Sequence, residues 1–262
     1  MFIGGIYSIV VFLACVLGAI VGLGGGIFIR PIFDAIGYHN TLNISFFASS
    51  AIFSMAIVST IRKMRDGTKI NMKLVLLISL GAIIGGVLGN LLLEHMVSLF
   101  SEPRVLVAQV IGTVTVLILS LILTAKSHLR LQVKRLWICP ILGLFLGIIG
   151  AFLVMGGGPI NVPLVIILFG LPIKTATAYS IVIIFFSHLS RLVTMGFTVG
   201  YAYFDLRVLV FVVAAAALGG FFGAKLSKIF SENTVKRLFQ GAISAVILLN
   251  IVNAFTIGGL LQ

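Results

Sequence analysis

Eight apolar stretches follow one another along this chain, at residues 2–21, 41–61, 74–93, 105–124, 136–155, 175–195, 206–224 and 238–257. A helix needs about 20 apolar residues to cross the hydrocarbon core, and in lipid every backbone N–H and C=O must be paired within the protein. An all-α polytopic membrane protein is the architecture such runs permit. Composition agrees, since 60% of the 262 residues are apolar and only 9% charged, against about a quarter charged in a soluble domain. Two shorter apolar runs, 27–36 and 159–171, each follow three consecutive glycines. At about 1.5 Å per residue, each covers roughly half the core.

Lys and Arg number 18 against 6 Asp and Glu, a formal +12. In a soluble protein that excess would suggest nucleic acid. Here 13 of the 18 cations fall in the short windows 62–73, 125–136 and 225–237, the pattern of cytoplasmic loops, so a lipid bilayer and no nucleic acid is expected as partner. The first 22 residues lack a basic n-region and a small-residue cleavage site, and read as a retained segment.

The chain also matches itself. Gly24-Gly25-Gly26 followed by Pro31 corresponds to Gly156-Gly157-Gly158 followed by Pro163, Ser45 to Ser180, and Asn71 and Lys73 to Asp205 and Arg207. Gly85-Gly86-x-x-Gly89 corresponds to Gly219-Gly220-x-x-Gly223, and Ser101-Glu102 to Ser231-Glu232, at an offset between 130 and 135. Five matches in order predict a duplication, residues 1–128 and 129–262, within one transmembrane domain.

The cationic windows set the direction of each half. Residues 136–195 start inside and finish outside yet hold two long runs and a half-length one, so the first two must form a hairpin that turns at Gly156 to Gly158 and returns near Lys174. In the first half the hairpin enters from outside, turns at Gly24 to Gly26, and returns near Asp34 and His39. The expectation is two inverted repeats, each a glycine-broken, re-entrant-like hairpin followed by three transmembrane helices, with both termini in the periplasm.

Inverted halves with broken helices are the sequence pointer to a secondary transporter with its site near the midplane. Three successive glycines hold a helix poorly, and the N–H groups of a restarted half-helix attract anions. The spacings Gly85 to Gly89 and Gly219 to Gly223 instead read as close-packing surfaces between helices.

The segments GLGGGIFIRPIF and VMGGGPINVPLVIILFGLP, one in each half, resemble the TauE/SafE sulfite exporter family. The resemblance spans essentially the whole chain and implies a carrier of sulfite, sulfonates or related organosulfur anions in the inner membrane. Carried over by position, the residues that match the family's motifs are Gly24, Gly25, Gly26 and Pro31 in one half and Gly156, Gly157, Gly158, Pro159, Asn161 and Pro163 in the other, and the six glycines and Asn161 are the expected substrate contacts. Arg30 faces Val162 in this alignment and Asn161 faces Ile29, so a strictly symmetric site is not expected.

Polar side chains within apolar runs extend the candidate set. Arg30 lies four residues beyond the first triplet, where it suits an anion clamp or a pair with Asp34. His188 and Arg191 stand one turn apart after the second hairpin, near Ser180, Ser187 and Ser190. Asn43, Ser45 and Ser49 occupy the equivalent run of the first half. No Asp or Glu falls at mid-depth, so no carboxylate relay is expected, and no cofactor, metal or catalytic group. Two other functions fit parts of the pattern. A passive anion channel uses similar hairpins. A thiol-disulfide carrier would need Cys15 and Cys139 at equivalent depths, yet they precede their triplets by nine and seventeen residues, a mismatch of roughly 12 Å along a helix.

Overall fold

The computed structural model describes residues 2–100, 102–125, 131, 133, 135–153 and 158–260. Among them are ten α-helices and no strand: α1 (Phe2–Val21), α2 (Gly26–Ile36), α3 (Thr41–Arg65), α4 (Met72–Leu99), α5 (Glu102–Ala125), α6 (Ile138–Phe152), α7 (Gly158–Phe169), α8 (Ile173–Thr198), α9 (Leu206–Ile229) and α10 (Glu232–Leu260). Six of them, α1, α3, α4, α5, α8 and α9, are long and apolar enough to cross a bilayer. The run expected to be full-length at 136–155 is instead the 15-residue α6. It starts only after the Leu136–Trp137 turn and ends at Phe152, with Leu153 as its C-cap.

Helix starts follow local chemistry. Asn40 accepts from the Asn43 N–H at 2.9 Å, Asn71 from Leu74 at 3.3 Å and Asp205 from Arg207 at 3.0 Å, each satisfying an orphan donor of α3, α4 or α9. Asn71 and Asp205, matched in sequence, thus hold equivalent posts at the starts of α4 and α9.

The short helices double back. Tyr7 near the start of α1 stacks on Phe33 near the end of α2, with centroids 3.7 Å apart, and its hydroxyl meets His39 Nδ1 at 3.1 Å. Before α6, the N–H groups of Leu131 and Val133 donate to Ile167 and Leu168 at the end of α7. Each short helix therefore ends beside the start of its partner.

Glycines weld the most extensive interfaces. A Cβ on Gly81, Gly85 or Gly89 of α4 would run into the backbone of Pro140, Leu144 or Ile148 of α6, so these helices run parallel at backbone contact. In the same way Gly219 and Gly223 of α9 lie on Phe12, Cys15 and Val16 of α1. Buried apolar side chains form two clusters. One holds Ile78, Leu146, Val165 and Ile183 and the other Tyr7, Phe47, Met55 and Val212, with Phe28 against both.

Candidate functional site

The first helix break runs through Gly22, Gly24 and Gly25, all at positive φ (78°, 82° and 74°), where a β-carbon is strained. It is a packed element. The Ser180 hydroxyl donates to the Gly22 carbonyl at 2.6 Å, and Gly24 rests on Ile184 and Ile52. A Cβ on Gly25 would sit 2.9 Å from the Ala14 carbonyl oxygen. Gly26 opens α2 against Ile52. Of the second triplet, Gly156 and Gly157 lie outside the described residues. Gly158 opens α7 directly on the first break, where a Cβ would collide with the Leu23 carbonyl. The Pro159 carbonyl there accepts from Ser120 at 2.6 Å.

Beside α7 a cavity of about 40 Å³ opens between α4, α6, α7 and α8, lined by Gly86, Asn90, Asn161, Ser187, His188 and Arg191 among others. At roughly 10–15 Å³ per water it has room for a few waters or one small oxyanion. Ser187 spends its hydroxyl on the Ile183 carbonyl at 3.1 Å, but other polar groups of the lining lack partners. Asn161 is 1% exposed and His188 5%, yet Asn161 Oδ1 and both His188 ring nitrogens have no hydrogen bond. Arg191 makes no hydrogen bond or ion pair among the described residues. Unpaired buried polar groups cost about 1–3 kcal/mol each, more when charged, so they point to a guest. Guanidinium, imidazole N–H and amide NH₂ are donors that suit an anion, and the unpaired Asn161 Oδ1 is an acceptor for a water or a protonated oxyanion.

The other expected residues lie elsewhere. Arg30 is paired with Asp34 at 3.6 Å, and its charge is close enough to Arg191 to repel it. Asn43 donates its amide to Asn40 Oδ1 at 2.9 Å at the start of α3. Ser45 is buried at 8% exposure in α3, and Ser180 is spent on Gly22. Counting from the matched triplets and serines, the first half carries Ile29 opposite Asn161, Phe53 opposite His188, Met55 opposite Ser190 and Ala56 opposite Arg191. Ile29, Met55 and Ala56 are fully buried, and Met55 fills the space before Gly220. The corresponding Gly86 has nothing within 4 Å of an added Cβ. Sequence reasoning missed Asn90, although a lone amide within an apolar run is the signal that finds such a residue.

Cys15 and Cys139 are buried in different clusters and share no neighbourhood. The double Cys15→Ser, Cys139→Ser variant is expected to retain transport within about threefold, allowing for a modest packing cost. Its loss in a protein of unchanged melting temperature would restore a redox role.

A bundle of spanning and half-length helices closed around a small, donor-rich cavity defines a polytopic membrane protein that handles a polar solute. The model of the family Sulfite exporter TauE/SafE matches residues 7–249, nearly the whole chain. The chain belongs to this family of transmembrane transporters. No curated protein and no solved structure matches it.

Proposed function

We propose that the protein is a secondary transporter of small sulfur oxyanions, sulfite, sulfonates or close relatives, and that the anion lies beside the first turn of α7. The observation that carries this reading is the unpartnered set of Asn161, His188 and Arg191 around one cavity. Donors from α7 and α8 surround the anion, and the N-terminal end of α7 adds its positive dipole. The first glycine turn serves this site as a seat, because Gly158 rests on Leu23 and Ser180 holds Gly22. The glycine ends then lie together, and the charged and imidazole contacts come from the second half while Gly86 and Asn90 of the first half complete the lining.

The inverted duplication is part of the proposal. It is supported by the parallel glycine seams α4 on α6 and α1 on α9, which exchange matched helices between residues 1–128 and 129–262. Lys63, Lys174 and Lys228 gather at the end where α8 begins, and the excess of cations there supports a cytoplasmic position for it in an inner-membrane protein. Both termini then face the periplasm. Alkaline phosphatase fused after α10 is expected to be active and green fluorescent protein there dark. The opposite pair of results overturns the hairpin assignment.

The carrier is tested in proteoliposomes loaded with unlabelled sulfite, where external labelled sulfite should enter faster than into empty vesicles. Trans-stimulation is the mark of alternating access. Equal entry with and without internal sulfite, at rates set by voltage alone, would favour the channel reading. Competition by sulfate, thiosulfate, taurine and sulfoacetate then ranks the substrates.

A further inference from the structure

A second cavity, about 260 Å³, lies at the opposite end of α8, lined by Lys63, Lys69, Lys174, Lys228, Asp66 and Ser227 among others. Lys63 is 4% exposed inside a helix that spans the bundle. Its ammonium donates to Thr177 Oγ1 at 3.0 Å and to Ser227 Oγ at 3.4 Å, two neutral oxygens for three N–H bonds. Among the described residues no carboxylate lies within 4.0 Å of it.

The one carboxylate in the lining is already engaged. Asp66 receives Lys228 Nζ at 3.1 Å and Arg62 Nε at 3.1 Å, and the Lys228 bond, followed by the charge of Arg62, holds its carboxyl below the usual range. Lys174 spends two donors on the Lys228 and Phe230 carbonyls at the end of α9. What remains is an excess of ammonium groups around a polar space, with a buried cation at its floor. Burying a charge without a counter-ion is costly, and an anion in the cavity would offset that cost.

We propose that this cavity is a second oxyanion site, on the lysine-rich side of the first helix break, that takes a sulfur or phosphorus oxyanion. Thr177 touches Gly22, and Ser227 reaches the Ile20 carbonyl at 3.5 Å, so an anion on Lys63 sits directly below the turn that supports α7. As a loading post for the carried anion its role rests on the carrier reading above. The binding site itself does not.

The test is calorimetric titration of anaerobic sulfite into the full-length protein in neutral phosphatidylcholine nanodiscs. Wild type is expected to bind two sulfites. The Arg191→Gln variant isolates the lysine site, and adding Lys63→Met to it should weaken the remaining binding at least tenfold. Lys225→Gln, an exposed cation on α9 outside the cavity, should change it less than twofold. Lys63→Met alone, at unchanged melting temperature, should keep one sulfite. Two unaltered sulfites in that variant overturn the proposal. A single sulfite in wild type, lost with Lys63→Met and indifferent to Arg191→Gln, keeps this site and removes the outer one. If phosphatidylglycerol in the nanodiscs displaces the lysine-site sulfite, a lipid headgroup phosphate is the resident oxyanion. If sulfite binding at Lys63 is absent with either lipid and phosphatidylglycerol shows no preference for the protein, Lys63 is only structural and the proposal fails.

Discussion

Arg191→Gln is expected to lower sulfite affinity at the outer cavity by about 10- to 100-fold, the equivalent of about 1.5–3 kcal/mol for a charge-assisted hydrogen bond inside a low-dielectric bundle. Arg191 faces the cavity without a carboxylate or hydrogen-bond partner, so its charge is available to a guest. Arg30 is the control. Its guanidinium already has Asp34 at 3.6 Å, and Arg30→Gln should shift affinity by no more than about threefold. The coupling of Arg191→Gln to Asn161→Leu, measured by a double-mutant cycle, should exceed about 0.5 kcal/mol, since both side chains line one cavity. Equal losses at Arg30 and Arg191 would mean a general field of positive charge and no defined cavity.

The second large effect separates packing from binding on a single helix. Gly85→Val pushes a branched side chain into the Leu144 carbonyl of α6, where backbone has no room to yield. It should cost about 3 kcal/mol or more and abolish the folded protein in detergent. One residue on, Gly86 has open space ahead of it and lines the cavity. Gly86→Ala should therefore leave the melting temperature unchanged and reduce sulfite binding by taking up cavity volume. If Gly86→Ala destabilised the protein as much as Gly85→Val, or left sulfite affinity intact, the cavity would have been placed wrongly.

These contrasts show what the sequence made legible. The positions of both helix restarts were readable, because three glycines followed by a proline-bearing apolar run permit little else, and α2 and α7 begin at Gly26 and Gly158. His188 and Arg191 were readable as ionisable groups inside an apolar run. The length of α6 was not, because the apolar residues of the sequence continue past the point where the helix ends, at Phe152. Asn90 was missed because membership of a cavity depends on which face of α4 meets α6, and that register is set by glycines on both helices. Gly25 looked like a ligand from its spacing. A Cβ there would also meet the Ala14 carbonyl, so Gly25→Val would report on folding as well as on any backbone contact with an anion.

The glycine seams bear on synthesis as well as on the finished molecule. The most extensive interfaces join α1 to α9, α4 to α6 and α3 to α9, each pairing a helix from α1–α5 with one from α6–α10. As the chain emerges from the ribosome, α4 must wait in the bilayer with Gly81, Gly85 and Gly89 uncovered until α6 arrives. During that interval the nascent half is a natural client for an insertase or a target for quality-control proteolysis. A chain cut after α5 should be cleared from the cell, while co-expression of the missing helices as a separate polypeptide should rescue it.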